Sequence, residues 1–292
     1  MNKLAKISAL VLVAVFFTGG SAFGTQFIYG INDDDDRIEV YNMDDGSLSF
    51  LEGNTPDEIE SLTWAGGTTY YGMQSTNNKT GTSQLYKFEL TQTSVSWQKA
   101  GEAIEHSNID ALQYADGQLY AIDNFTDQLL TISTADETIG DIQGKTDLNG
   151  LTEGGYWKTW KIEGLAYNDG LLYASETKTS GSDSSKLYKI NITDDVGDSI
   201  MADLIGNIGF AQVEALTFVD NALYGTSDKK DAFISIAMTS SDEEVLGVKI
   251  GDWATDTEGI APVQGAAVPE PSTIILLGFG LLGLAAFKRK RK

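Results

Sequence analysis

The chain has 292 residues, no cysteine, a single histidine (His106) and a formal net charge of −22. Without disulfides its stability must come from buried core, and thiolate zinc sites, His-rich metal sites and thiol nucleophiles are excluded. So acidic a chain repels nucleic acid and anionic lipid, while its carboxylates suit weakly held extracellular divalent cations.

The first residues read as a secretory signal. Lys3 and Lys6 supply the positive start, and Ile7 to Phe17 an apolar stretch shorter than a membrane span. Ala22 and Gly24 stand at the −3 and −1 positions of a cleavage point before Thr25, so residues 1–24 are expected to be removed.

The body that follows is repetitive. An acid, a small residue, Leu or Ile, a small or polar residue and an aromatic recur as Glu60-Ser61-Leu62-Thr63-Trp64, Asp110-Ala111-Leu112-Gln113-Tyr114, Glu163-Gly164-Leu165-Ala166-Tyr167 and Glu214-Ala215-Leu216-Thr217-Phe218. The acids are spaced 50, 53 and 51 residues apart. A turn follows each copy, at Gly66-Gly67, Asp116-Gly117, Asp169-Gly170 and Asp220-Asn221, residues that tolerate the positive φ of tight hairpins. Second strands are expected at Thr69–Gly72, Leu119–Ala121, Leu172–Ala174 and Leu223–Gly225. Third strands are expected at Leu85–Phe88, Leu129–Ile132, Leu187–Ile190 and Phe233–Ile236. Fourth runs such as Val95–Trp97 and Thr138–Ile142 end the units. Four short period-2 strands in each repeat describe the blade of a β-propeller.

The two ends of the body complete one another. Glu258-Gly259-Ile260-Ala261 repeats the first-strand pattern 44 residues beyond Glu214, after which the body stops. Phe27–Gly30 and Ile38–Tyr41, at its beginning, match a second and a third strand. Pairing the terminal strands would complete a split blade and close the ring without free inner edges. The expected fold is therefore all-β: a five-bladed propeller over residues 25–263, with six blades as the alternative if one is degenerate.

First strands line the channel of a propeller, so Glu60, Asp110, Glu163, Glu214 and Glu258 form a ring. Strict alternation puts acid, Leu and aromatic on one face and the small residues on the other, where neighbouring blades pack. The converging carboxylates need relief from backbone donors, protonation or a cation; the two readings are local hydrogen bonds at the strand start and an axial Ca²⁺ site. The Glu163–Ala166 form resembles strand-entry motifs of calcium-dependent propeller hydrolases, the gluconolactonase and phytase-like families. That likeness implies a calcium-dependent hydrolase as the alternative function, but it extends to this short motif only and brings no catalytic residue.

A second candidate is the segment Lys145–Lys161, read as a long loop carrying Tyr156, Trp157 and Trp160 beside Gly154 and Gly155. Such rings either stack on sugars or fold back as a cap. Asp33–Asp36 lacks the glycine and terminal glutamate of an EF-hand loop and reads as a solvated turn, as do Asp194, Asp195 and Asp198. No Ser-His-Asp or Gly-x-Ser-x-Gly arrangement is present, which argues against triad chemistry; the leading reading of the body is non-catalytic, beside the calcium-dependent hydrolase.

The tail has three parts. Gln264 to Val268 form a linker; Pro269-Glu270-Pro271 is a stiff extended motif; an uncharged Leu, Ile and Gly-rich span then runs from Thr273 to Phe287 before Lys288-Arg289-Lys290-Arg291-Lys292. The basic end is expected to stay cytoplasmic while the body faces out. This order over residues 269–292 resembles the PEP-CTERM sorting signal, which implies that an exosortase recognises and removes the tail as the protein reaches the envelope or extracellular matrix. Loss of both ends would leave 13 basic residues against about 42 acidic ones, a net charge near −29. The function expected is that of an exported envelope or matrix protein that binds a partner such as exopolysaccharide and touches membrane only through the tail before cleavage.

Overall fold

The computed structural model describes residues 26–75, 81–105, 108–151, 159–178, 183–193, 199–238, 245–253 and 256–263. The signal at 1–24, the linker, the sorting tail with Pro269, Glu270 and Pro271, Tyr156, Trp157, His106 and the acids at 194, 195 and 198 lie outside them. Residues 27–263 form one folded unit.

Every repeat becomes an antiparallel meander. The first comprises β1 (Phe27–Asn32), β2 (Arg37–Asn42) and β3 (Leu48–Phe50); the second comprises β4 (Ile59–Gly66), β5 (Thr69–Ser75), β6 (Thr82–Leu90) and β7 (Val95–Lys99), with β8 (Ile104–Glu105) added to β6. The third has β9 (Ile109–Ala115), β10 (Gln118–Asp123), β11 (Gln128–Ile132) and β12 (Ile142–Asn149), and the fourth β13 (Trp160–Asn168), β14 (Leu171–Lys178), β15 (Lys186–Asn191) and β16 (Ser199–Asn207). The last comprises β17 (Val213–Val219), β18 (Ala222–Ser227), β19 (Ala232–Met238) and β20 (Val245–Asp252), after which β21 (Thr257–Pro262) pairs with β1.

The hairpins form where the turn residues require them. Asp116 and Gly117 (φ 51° and 88°), Asp169 and Gly170 (49° and 82°) and Asp220 and Asn221 (50° and 65°) all have positive φ, the backbone of a two-residue turn matched to strand twist. The fourth run of the third repeat differs from expectation. Residues 136–140 form a turn, with Gly140 N–H donating to the Ser133 carbonyl, and the strand begins only at Ile142 and runs to Asn149. Lys145–Asn149 and Trp160–Lys161 are therefore strand, and the connection between them is shorter than the expected loop.

Closure takes the form the repeats require. β21 lies antiparallel to β1, with Ile28 opposite Pro262 and Ile31 opposite Gly259, and Val263 N–H donates to the Phe27 carbonyl at 2.9 Å. Glu39, fully buried on β2, locks this sheet by accepting from Trp253 Nε1, Thr257 Oγ1 (2.9 Å) and Asn32 Nδ2 (3.2 Å). Three donors satisfy a carboxylate that burial alone would make costly.

The inner strands β4, β9, β13, β17 and β21 touch one another in sequence, and β21 returns to β4. The hydrophobic core is not central but divided among the seams between neighbouring meanders. Met73 and Leu85 meet Leu112 and Leu130 in one seam, Ala174 and Tyr188 meet Ile122 and Leu129 in the next, and Phe233 meets Tyr41 and Trp253 at the closing one. Motif aromatics seal two of these seams from outside: Tyr114 stacks on Tyr71 with ring centroids 6.4 Å apart, and Phe218 meets Tyr173 edge-on at 5.2 Å. Some outer strands are also stitched. β12 pairs in parallel with β16 from Asp147–Ser199 to Asn149–Met201, which fuses two meanders into an eight-stranded sheet.

Candidate functional site: the acidic channel mouth

Each repeat acid sits at an irregularity. On β4, Ile59 pairs with Gln74 and Ser61 with Met73, so Glu60 is skipped; Asp110, Glu163, Glu214 and Glu258 are skipped in the same way on β9, β13, β17 and β21. A bulge at one register position of all five inner strands re-aims the same side chain five times. This corrects the strict alternation expected from sequence, because the extra residue breaks the period between the acid and the Leu that follows.

The small residues do face the next meander, as expected. A Cβ on Gly164 would lie 2.9 Å from Leu216 Cγ, and one on Gly259 would lie within 2.2 Å of the Leu62 amide nitrogen. Leu62, Leu112, Leu165, Leu216 and Ile260 meet around an axial cavity with room for about one water-sized guest. Glu163 and Glu258 also contribute to its wall.

The five acids are not equivalent. Asp110, 1% exposed, accepts through Oδ2 from Asn108 Nδ2 (2.7 Å), Asn124 Nδ2 (3.2 Å) and Lys161 Nζ (3.3 Å). Burial opposes the charge on Lys161, but the carboxylates of Asp110, Glu163 and Glu60 outweigh it and raise the ammonium pKa. Asp110 thus realises the local hydrogen-bond reading. Glu163 and Glu214 do so less fully. Burial, then the charge on Asp110, pushes Glu163 up to about 8. Burial, then Glu163 and Asp228, pushes Glu214 up to about 10. Glu60 and Glu258 are held well above the usual carboxylate range, by burial first and then by other carboxylates. Asp110 Oδ1, Glu163 Oε2 and Glu214 Oε2 are buried without a hydrogen-bond partner.

Three further aspartates reach this region that the repeat did not single out. Asp33 is raised to about 6 by burial and by Asp256; Asp256 N–H donates to Asp228 Oδ1 at 2.9 Å; and Asp228 acts on Glu163 and Glu214. The hairpin register carried the signal. Each inner strand starts opposite the end of its partner, as with Val213 opposite Ser227 and Thr257 opposite Asn32. Residues just past those ends, Asp228 and Asp33, therefore lie at the same end as the ring. Asp33–Asp36 is the turn expected from its composition, and its first residue belongs to the mouth.

The calcium expectation finds no gathered ligand set: among the described residues, no three His, Asp or Glu side chains are placed to hold one metal ion. Of the expected sugar-stacking residues only Trp160 is described. It opens β13 half-buried, with Lys186 Nζ 4.4 Å and Lys178 Nζ 5.9 Å from its ring centroid, so lysines already use its π-system.

Comparison with known proteins places both parts of the chain. Residues 267–291 match the PEP-CTERM protein-sorting motif, which implies export, sorting to the cell surface and processing by an exosortase. Among solved structures, the chain is similar to one in a nidogen/laminin complex, at 12% identity and a TM-score of 0.47 over 82% of this chain and 98% of that one. It is similar too to a structure described as a 6-phosphogluconolactonase from Bacteroides uniformis ATCC 8492, at 11% identity and a TM-score of 0.45 over 77% and 67%. A second structure so described, from Bacteroides fragilis NCTC 9343, has 9% identity and a TM-score of 0.45 over 84% and 99%. No curated protein matches. Residues 71–252, more than half of the chain, match the family described as a repeat of unknown function (DUF6923), and the chain belongs to that family.

Proposed function

We propose that this is a non-catalytic binding protein of the cell envelope or extracellular matrix: a five-bladed β-propeller delivered by its exosortase-processed tail. Its binding face is the acidic channel mouth. The propeller spans Thr25 to about Val263, with Gln264–Val268 as linker and Pro269-Glu270-Pro271 as the sorting motif. The observation that carries this reading is the bulge at Glu60, Asp110, Glu163, Glu214 and Glu258. Five identical irregularities would each weaken a ladder, and what they produce in common is one set of re-aimed carboxylates. Exopolysaccharide is the partner class that suits the destination, with the Tyr156, Trp157 and Trp160 segment as a second contact.

The test is association of the secreted mature protein with insoluble matrix from the producing cells. Wild type should sediment with the matrix, and a Glu163→Gln, Glu214→Gln, Glu258→Gln triple variant should stay in solution. Equal sedimentation of the two would overturn the binding face. Loss of binding only in Trp160→Ala would move the site to β13.

A further inference from the structure

Among the described residues, the cation that acts on the ring is Lys161, and it serves one part of it. Lys161 Nζ bonds Asp110 and acts on Glu163 and Glu60. Among the described residues, the charges that act on Glu214 are those of Glu163, Asp228, Asp256 and Glu60, and those that act on Glu258 are Glu214, Glu163, Asp256 and Asp110, carboxylates in every case. Glu214 is only 7% exposed, and its Oε2 is buried without a partner, as is Glu163 Oε2. Buried acceptors in this state are stabilised by a donor, preferably a charged one.

A bare metal ion matches this set poorly. Calcium needs several oxygens gathered at ~2.3–2.6 Å around one point, and the described residues offer no such group. An ammonium group makes up to three separate, longer hydrogen bonds in different directions, which fits spread acceptors. Lys161 already shows that the ring accepts one. The adjoining cavity, walled by Glu163 and Glu258 and by Leu62, Leu112, Leu165, Leu216 and Ile260, has room for a guest the size of water. A primary ammonium head meets that limit; a fully methylated one does not.

We propose that the Glu163–Glu214–Glu258 side of the channel mouth binds the primary ammonium head group of a ligand, as Lys161 occupies the Asp110 side from within. The assignment rests on the mouth being the binding face and adds the chemistry that it recognises. Two sources supply such a head group: a free alkyl diamine, or a matrix sugar with unacetylated amino groups.

The experiment is calorimetric titration of the secreted mature protein with butane-1,4-diamine, a glucosamine oligosaccharide, its N-acetylated counterpart, tetramethylammonium and Ca²⁺. The amines should bind, the N-acetylated sugar and tetramethylammonium should not, and Glu214→Gln should weaken amine binding by about tenfold or more. Binding of both amines would identify a sugar-borne head group as sufficient, and binding of the diamine alone a free amine. No amine binding, equal binding of tetramethylammonium, unchanged affinity in Glu214→Gln, or binding of Ca²⁺ alone would overturn the proposal. If Glu214→Gln does not fold by circular dichroism, Lys161→Met decides: freeing Asp110 should tighten amine binding severalfold, and unchanged affinity would count against the site. Matrix association that persists without amine binding would refute the head-group chemistry while leaving the binding face standing.

Discussion

Two buried glutamates show how differently the same side chain is used. Glu39 is enclosed by three donors, from Trp253, Thr257 and Asn32, and joins β1, β2 and β21. Glu39→Ala should cost about 2–4 kcal/mol, because it orphans several buried donors at once; chemical denaturation would measure it. Glu214 has no such enclosure, and its pKa of about 10, with about 8 for Glu163, lies above the unfolded value near 4.5. A group with a raised folded pKa binds its proton more tightly in the folded state. Its contribution is fully present below about pH 4.5 and is lost as pH rises through the folded value. The melting temperature should therefore fall between pH 5 and pH 9, and Glu214→Gln should flatten that fall. A melting temperature that rises over this interval would contradict the burial of the ring.

The strand elements explain which parts of this architecture could be read from the sequence. Hairpins were legible because Asp-Gly and Asp-Asn pairs state their backbone conformation locally. The seams were legible too, since Ser61, Ala111, Gly164, Ala215 and Gly259 mark where one inner strand lies against the next. Gly259→Ala should be destabilising by more than the ~1–3 kcal/mol of ordinary overpacking, because its Cβ would meet backbone rather than a side chain that can turn aside. Thermal denaturation of that variant, beside Gly67→Ala at an open turn, would separate crowding from lost flexibility. The bulges were not legible. Counting along a strand assigns a face by parity, whereas a skipped residue is set by the pairing with the partner strand, which no single strand's residues state. For the same reason Asp33 reads as part of a solvated turn, and nothing in the repeat singles out Asp228 and Asp256; it is the register that brings their strand ends together.

At the scale of the whole molecule, a ring of meanders is followed by a sorting motif. The terminal repeat fragments announced the β1–β21 pairing, and the folded unit ends at Val263, before the match to the sorting motif begins at residue 267. Mass spectrometry of the exported protein should find a chain starting at Thr25 and lacking Lys292; in cells without exosortase the basic end should remain. A mature form that still carries Lys292 in normal cells would refute processing. The site's identity was less accessible than its location, because a ring of acids has the same sequence whether protons, an ammonium group or a metal relieves it.

Closure by the last strand also sets an order of events. A chain exported from its beginning presents β1 long before β21 exists outside the membrane, so β1 waits with one side unpaired while four meanders assemble. Every stop before Thr257 removes the partner of β1 and leaves that edge open on every molecule. Such truncated chains should therefore pair β1 with β1 as two-fold dimers, with size-exclusion chromatography coupled to light scattering as the readout. The final six-residue strand is in this sense the molecule's own edge cover, the piece that withdraws from every neighbour a row of donors and acceptors it would otherwise share.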